Sequence, residues 1–243
     1  MRDLSSFIDR LIAAHRDQST FTPGPSRPSS LEEVHLVHEA LIKAAGSTGG
    51  FKITRTREGE AVVVPIPATR CVPSGSKVQA PPTVEAEVEV GFTVVDTIPH
   101  PDDPNFRRKL FASVRPAPMI ELVASRIDGS LAFEPMVKLA DLQACEALVF
   151  GQPAMGWTGA DFHRPSAELS METRVLAEGE GVVPGGSACA ALETTVEILA
   201  RRFGGLRVGQ KVLSGALFKA EPVVAGTRVR ARVGGLGDVA VEL

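Results

Sequence analysis

Two stretches near the N-terminus space their apolar residues as an amphipathic helix does. In residues 3–15 the apolar positions recur at i, i+3, i+4, i+7 and i+8, namely Leu4, Phe7, Ile8, Leu11 and Ile12. A segment rich in Pro and Ser, 20–30, then predicts an extended connection. Ser30 followed by Glu33 forms a capping box, which predicts a second helix running to about Ala45.

From about Phe51 the pattern changes to short alternating segments separated by Gly and Pro, which predict strands. The segments are FKITRT, AVVVPIP, TVEAEVEVGF, MIELVAS, ALVFG, AELSMETRVLAEG, KVLSGALF, TRVRARV and DVAVEL. One strong helix interrupts them, with an apolar face formed by Leu192, Val196, Leu199 and Phe203. The pattern predicts an α+β protein, in which a small helical N-terminal part, 1–78, precedes a β-rich core of mixed or antiparallel strands, 79–243.

The segment PPTVEAEVEVGF, 81–92, alternates apolar residues with Glu85, Glu87 and Glu89. This period of two predicts a strand with one apolar face and three carboxylates in a row on the other, roughly 6–7 Å apart. Such a row is usually a solvated face, and that interpretation stays open beside a second one, a site for a cation.

A further carboxylate, Glu121, has apolar neighbours on both sides in PMIELVASRI, which predicts a buried strand. A lone buried carboxylate is costly unless it is paired or binds a metal. Two glutamates at i and i+2, with one from a neighbouring strand, would make a three-carboxylate cluster. Hard divalent cations such as Mg²⁺ or Mn²⁺ prefer all-oxygen ligands of this kind.

Composition and charge exclude several classes of function. The net charge of −3 argues against a nucleic-acid partner or an anionic membrane surface, since either would need a basic face. No apolar run approaches the ~20 residues of a membrane span, and the N-terminal stretch does not resemble a secretory signal. Cys71, Cys145 and Cys189 are far apart and lack CxxC spacing, so we expect buried thiols and a cytoplasmic location.

Lys52 lies between Phe51 and Ile53, which makes partial burial plausible although most lysines are exposed. Near a carboxylate cluster it could bind substrate oxygens or transfer a proton. The five histidines are scattered, and they form no Ser, His and Asp set that would indicate a hydrolase triad.

Four segments resemble the fumarylacetoacetate hydrolase superfamily, in particular its branch of 2-keto-4-pentenoate hydratases and 4-oxalocrotonate decarboxylases. GFKITRT resembles the family's G-Y-K-I-G-L-T segment, so the resemblance places Lys52 on the active-site lysine. VEAEVEV resembles the E-A-E metal strand and IELVASRI the segment with the third ligand, so Glu85, Glu87 and Glu121 fall on metal-ligand positions. The fourth match is in the C-terminal region, in GLRVGQKVLSGAL (205–217) and VVAGTRVRARVGGLGDVAVEL (223–243) with the preceding helix. The resemblance implies the family's roll or sandwich fold. Glu89 has no family role and is expected to face water.

Other positions depart from the family pattern. The acidic cap segment reads PIPATRCVPSG here, without a carboxylate, and the family's D-N-A-S reads Asp141–Ala144 without its polar Asn and Ser. The family's G-H-P reads AAL at 190–192, and Thr54 replaces a Gly. The metal ligands therefore look retained, whereas the substrate-facing residues look rewritten.

The resemblance implies a lyase that depends on Mg²⁺ or Mn²⁺, a hydratase of a small 2-keto acid or 2-hydroxydienoate in aromatic-compound breakdown. Decarboxylation of a 2-oxo-enedioate on the same metal site stays open as an alternative. So does a non-catalytic partner subunit that kept the fold and lost the chemistry. We expect a homo-oligomer, and the family's habits allow a complex with a related pathway enzyme.

Overall fold

A computed structural model describes residues 3–202 and 204–243, and it confirms the α+β class. The helices of the described residues are α1 (Ser5–Asp17), α2 (Leu31–Ala45), α3 (Phe106–Ala112), α4 (Pro135–Ala140) and α5 (Ala188–Arg202). The strands are β1 (Thr48–Arg55), β2 (Ala61–Pro67), β3 (Cys71–Pro73), β4 (Val84–Val94), β5 (Val114–Val123), β6 (Cys145–Phe150), β7 (Ser166–Met171), β8 (Arg174–Glu180), β9 (Lys211–Ala216), β10 (Glu221–Val223), β11 (Arg228–Val233) and β12 (Gly237–Glu242).

The three long helices form where the apolar spacing predicts them. The Ser30 hydroxyl caps α2 by accepting a hydrogen bond from the Glu33 N–H at 3.3 Å, and Gly46 ends the helix in a positive-φ conformation. In α5 the predicted apolar face is buried through Leu199, whereas Phe203 lies outside the described residues. The short elements α3, α4, β3 and β10 were not predicted, because three to seven residues show too little periodicity.

The strands form two sheets. The larger sheet has the order β2-β1-β9-β4-β5-β6-β3, with β10 pairing on β4, and the smaller has the order β12-β11-β7-β8. Pairing is antiparallel except between β1 and β9 and between β3 and β6, which are parallel. The segment predicted as one strand, AELSMETRVLAEG, is a hairpin of β7 and β8.

The larger sheet lies between two apolar clusters. On one face, side chains such as Val88 and Ile120 pack with the smaller sheet and α5. On the other face, Met119 and Val64 pack with α1 and α2. Residues 87, 89, 119 and 121 share this second face because side chains alternate along a strand. The glutamates of β4 therefore lie on this second face of the sheet.

The division at residue 78 stays a prediction. Strands on its N-terminal side, β1 to β3, hydrogen-bond within the same sheet as β4 and β5. The N-terminal part thus contributes strands as well as helices to the layer that carries the glutamates. Over residues 3–202 and 204–243, no helix combines the length and the apolar character needed to cross a membrane.

Candidate functional site

Three carboxylates converge where β4 and β5 pair. Glu87 lies directly opposite Glu121 in the antiparallel register, and Glu89 is two residues further along the same face. One carboxylate oxygen of each lies within 4.8 Å of the others. Their all-oxygen donor set, on two hydrogen-bonded strands, fits a hard divalent cation.

The observed cluster contains Glu89 in place of Glu85, which the sequence analysis expected as a ligand. The structure brings Glu87 and Glu121 together as predicted, but Glu85 is exposed and lies outside the cluster. The expectation that Glu89 faces water is wrong, because only 2% of this residue is exposed. All three glutamates of β4 share one face, so the period of two cannot identify the buried pair. The assignment of Glu85 as a ligand stays a prediction that the geometry does not support.

A bulge in β9 orients Glu89. Glu89 pairs with Ala216 while Gly91 pairs with Leu213, so two residues of β9, at 214 and 215, oppose one residue of β4. The bulge points the N–H of Gly215 at the Glu89 carboxylate, with a donor–acceptor distance of 2.7 Å. Gly215 has φ of 107°, and a Cβ there would lie 2.7 Å from Pro184 Cγ. Glycine is therefore required at this position for two independent reasons.

Lys52, which the resemblance assigns as the active-site lysine, is buried beside the cluster. Its Nζ donates hydrogen bonds to the Glu121 carboxylate and, at 3.1 Å, to the main-chain carbonyl of Gln143. Burial opposes the charge on Lys52, but the attraction of Glu121 outweighs it and raises the pKa of the lysine above its usual range. Lys52 is thus held as a cation.

The Gln143 carbonyl is presented by an unusual turn. Leu142, Gln143 and Ala144 have φ of 51°, 54° and 61°, so three consecutive non-glycine residues are left-handed. Such a conformation costs roughly 1–2 kcal/mol per residue, and it persists only where surrounding contacts fix it. Here the turn is closed by the Ala144 N–H donating to the Asp141 carbonyl at 2.8 Å, and Leu142 is buried.

Asp141 anchors the base of this turn. One carboxylate oxygen accepts hydrogen bonds from the Ser125 hydroxyl and the Arg126 N–H, both at 2.8 Å. The other lies 3.1 Å from Nε2 of His15 on α1. Beyond it, Arg126 forms a buried ion pair with Glu146. A buried polar network therefore connects the N-terminal helix to the turn that holds Lys52.

The two glutamates of β4 are costly to ionise together. Burial, and then repulsion by Glu121, raise the pKa of Glu87 to about 7. Burial and the charges of Glu121 and Glu87 raise the pKa of Glu89 well above its usual range. Lys52 supplies only one positive charge against three carboxylates, so a dication would relieve the remaining repulsion.

The carboxylates open into a cleft of about 350 Å³. Its inner part is lined by Lys52, the three glutamates and the bulge of β9, and one wall by Pro184, Gly185 and the first turn of α5. Arg55, Lys138 and Gln143 also line it, and sequence reasoning missed all three as site residues. Lys138 and Gln143 lie on elements that the pattern did not predict.

Among the described residues, no histidine or cysteine contributes to the lining of the cleft. His35 and His38 lie in contact on α2, but His38 is fully buried, with Nε2 at 2.7 Å from the Leu139 carbonyl. All three cysteines are free thiols.

Comparison with known proteins yields a relative in the expected branch, although no family model matches the chain. A 162-residue segment is 29% identical to the 2-keto-4-pentenoate hydratase of Paraburkholderia xenovorans (strain LB400). The match covers 65% of this chain and 58% of that relative, so the aligned segment spans less than two thirds of the relative's length.

Solved structures share the fold over 79% to 98% of the chain. The 4-oxalocrotonate decarboxylase of Pseudomonas putida G7, complexed with magnesium and adipate, superposes with a TM-score of 0.74 at 16% identity. That superposition covers 98% of this chain and 95% of the other. The fumarylpyruvate hydrolase of Pseudomonas aeruginosa, in complex with Mn²⁺ and pyruvate, gives a TM-score of 0.56 at 16% identity, covering 79% of this chain and 87% of the other.

Proposed function

We propose that this chain, a divergent member of the fumarylacetoacetate hydrolase superfamily, is a divalent-metal-dependent lyase acting on a small 2-keto acid or its dienol. The observation that carries the proposal is the convergence of Glu87, Glu89 and Glu121 beside a buried lysine in an open cleft. The named relatives support it, since one is a hydratase of a keto acid and another is a decarboxylase complexed with magnesium.

Glu87, Glu89 and Glu121 would hold Mg²⁺ or Mn²⁺. A bound dication would supply Lewis-acid stabilisation of the negative charge that develops on the 2-oxo oxygen as the enolate forms. The chain's own residues keep the ligands in place: the Gly215 N–H fixes Glu89, and Lys52 fixes Glu121.

Lys52 acts as a protonated donor in this proposal. Its raised pKa and its hydrogen bonds to Glu121 and to the Gln143 carbonyl keep the ammonium charged and directed at the cluster. In that position it can donate a hydrogen bond to the substrate carboxylate or enol oxygen, and it can deliver a proton during ketonisation.

Hydration is the leading reaction, and decarboxylation is the second candidate. Hydration adds water across the distal double bond after ketonisation, and it needs a group to guide that water. Decarboxylation needs mainly an electron sink, so it is compatible with a cleft in whose lining the structure describes no histidine. Hydrolysis of a C–C bond needs a general base to activate water, and the lack of a histidine in the described lining argues against this reaction.

The metal site can be tested by calorimetric titration of Mg²⁺ and Mn²⁺ in the presence of oxalate, which chelates as a 2-keto acid does. We expect Glu89→Gln to abolish binding and Glu85→Gln to leave it intact, since only the first of these carboxylates lies in the cluster. The two variants make the same chemical change on the same strand. Loss of binding in Glu85→Gln with retention in Glu89→Gln would contradict the ligand set.

Turnover separates the remaining candidates. The protein with Mg²⁺ would be offered a 2-hydroxydienoate and a 2-oxo-3-enedioate, and products would be followed by absorbance and by carbon dioxide release. A hydrated product from the first supports the hydratase, whereas carbon dioxide from the second supports the decarboxylase. Metal binding with turnover of neither, together with tight association with a second enzyme, would favour the non-catalytic subunit.

A further inference from the structure

The outer end of the cleft carries two positive charges. Arg55, at the end of β1, and Lys138, on α4, line the cleft together with the carboxylate cluster. Both also line an adjoining outer groove of about 480 Å³, which shares Thr54 and Gln143 with the cleft. The two cations therefore lie at the rim, where the inner cleft and the outer groove meet.

Within the described residues, neither cation is held in an ion pair, although the charge of Lys138 lies near enough to Glu87 to offset part of the rise in the pKa of that carboxyl. The Arg55 guanidinium has a single hydrogen bond among the same residues, to the Gly59 carbonyl at 3.0 Å. Glu134, which lines the outer groove near Lys138, is engaged by Arg27 at 2.8 Å. The rim cations are thus available to an anion that enters the cleft.

The other candidate for anion binding in the cleft is the N-terminus of α5, and it is already occupied. Asp161 accepts hydrogen bonds from the Cys189 N–H at 3.0 Å and from the Ser187 hydroxyl. The Ser187 oxygen in turn accepts from the Ala190 N–H at 2.8 Å. An anionic group of a bound ligand would meet a carboxylate there, which leaves the rim of Arg55 and Lys138.

The charge balance of the cleft favours a doubly charged ligand. Three carboxylates are matched by Lys52 and a dication, so the inner half is neutral in sum before a ligand binds. A 2-keto acid brings one carboxylate to that inner half. A second carboxylate at the other end of the molecule would meet the two rim cations and form charge-assisted hydrogen bonds.

We propose that Arg55 and Lys138 form an anion subsite for the distal carboxylate of a dicarboxylic 2-keto acid, and that they select such substrates over monocarboxylic ones. The proposal rests on the proposed function, because the first carboxylate and the 2-oxo group are placed at the metal cluster. Lys138 lies on α4 and Gln143 lies in the turn that follows it. This one segment therefore supplies a cation at the rim and the carbonyl that holds Lys52 in the inner half of the cleft.

The test compares two ligands of equal length that differ only at the distal end. 2-Oxoadipate ends in a carboxylate and 2-oxohexanoate in a methyl group, and their binding would be measured by calorimetry at saturating Mg²⁺. We expect the wild type to bind 2-oxoadipate at least about tenfold more tightly, as a charge-assisted hydrogen bond can supply. The preference should shrink as salt is added, since the rim is exposed.

Two double variants test whether Arg55 and Lys138 cause the preference for 2-oxoadipate. The double variant Arg55→Gln, Lys138→Gln should bind the two ligands within about twofold of each other. Lys43→Gln, Arg174→Gln makes the same charge change at two exposed positions outside the cleft and should keep the preference. Melting curves of both double variants would establish that each is folded.

The outcomes separate the two proposals. Equal binding of both ligands to the wild type, or a preference that survives in the rim variant, would overturn the subsite and leave the metal-dependent function standing. Failure of both ligands to bind with Mg²⁺ would overturn the proposed function, and the subsite with it.

Discussion

The side-chain amide of Gln143 donates a hydrogen bond to the hydroxyl oxygen of Thr54, with a distance of 3.0 Å. Gln143 also accepts a hydrogen bond from Lys52 through its main-chain carbonyl. One residue of the left-handed turn is therefore bonded to two residues of β1 that share a face, and these bonds set the position of the buried ammonium beside the carboxylates.

We expect Thr54 and Gln143 to be energetically coupled. Thr54→Val removes the acceptor, and Gln143→Leu removes the donor; each single change should destabilise the protein by roughly 1 kcal/mol. Together they should cost less than the sum of the two, with a coupling of about 1 kcal/mol, because the second change loses no further bond. Urea unfolding of the four proteins in the cycle measures this coupling.

A second threonine provides the control for that cycle. The hydroxyl oxygen of Thr93 on β4 is buried and has no hydrogen-bond partner among the described residues. Thr93→Val makes the same change of side chain, and it should be neutral or stabilising because it removes an unsatisfied polar atom. Combined with Gln143→Leu it should be additive, and coupling of similar size in both cycles would contradict the bond.

The sequence predicted the long elements well because their signals are local. The amphipathic spacing of α1, α2 and α5 and the alternation in β4 follow from residues close together in the chain. The family resemblance added the order of the site residues, and the contact between Lys52 and Glu121 comes from the structure. The helical cap of α2 was also predicted, since Ser30 and Glu33 are three residues apart.

The rest of the site depends on contacts that local patterns do not specify. Glu85 and Glu89 are equivalent in a period of two, and only the pairing of β4 with its neighbours decides which one is buried. Thr54 and Gln143 both stand in segments that depart from the family pattern, and no local pattern connects them. The structure pairs them, so the two departures act as one change in how the cleft holds Lys52.

Removal of the buried lysine should destabilise the metal-free protein. Lys52→Met leaves Glu121 without its cation beside two other glutamates, and breaking a buried ion pair costs about 3–5 kcal/mol. Added Mg²⁺ should restore much of this loss, because the variant's cluster carries one more uncompensated negative charge. Urea unfolding with and without Mg²⁺ would show a larger metal effect in the variant than in the wild type.

The matched comparison for Lys52 is a lysine in an exposed ion pair. Lys109 lies 2.5 Å from Asp103 at the surface, with about half of its side chain exposed. Lys109→Met should cost no more than about 1 kcal/mol and should leave the effect of Mg²⁺ unchanged. An equal loss of stability in the two variants would argue against a buried charge at Lys52.

Glycine at position 215 should be required for metal binding. In Gly215→Ala the new Cβ meets Pro184 and the positive φ is strained, so the bulge must shift and carry its N–H away from Glu89. We expect the variant to lose about 2 kcal/mol or more of stability. We also expect its Mg²⁺ affinity to fall at least about tenfold, as found for changes of groups that support metal ligands.

Gly226 provides a control that separates the cost of a positive φ from the cost of a clash with a neighbouring side chain. It has φ of 85°, and a Cβ there would meet nothing within 4 Å. Gly226→Ala should therefore lose only about 1 kcal/mol, from the left-handed backbone, with unchanged affinity for Mg²⁺. A comparable loss of metal binding in the two variants would mean that the bulge does not position Glu89.

His38 should make the protein less stable as the pH falls from 7 to 5. The residue is fully buried, and burial lowers its pKa from 6.5 to about 4. Above pH 6.5 the imidazole is neutral in both the folded and the unfolded chain, so its contribution to stability is fully present. Below pH 6.5 only the unfolded chain takes up the proton, and stability is lost until the pH reaches about 4. This difference in pKa between the unfolded and the folded chain lowers the free energy of unfolding by about 2 kcal/mol between pH 7 and pH 5.

Replacement of His38 tests this sign directly. His38→Gln keeps a donor for the Leu139 carbonyl, lacks the titrating group, and should lose about 2 kcal/mol less than the wild type over the same pH range. His15 is also buried with a lowered pKa, so the difference between the two proteins, measured by urea unfolding at pH 7 and pH 5, is the quantity that reports on His38. His100→Gln, at an exposed position, should follow the wild type. If His38→Gln loses as much stability as the wild type on acidification, the imidazole is not held neutral in the folded chain.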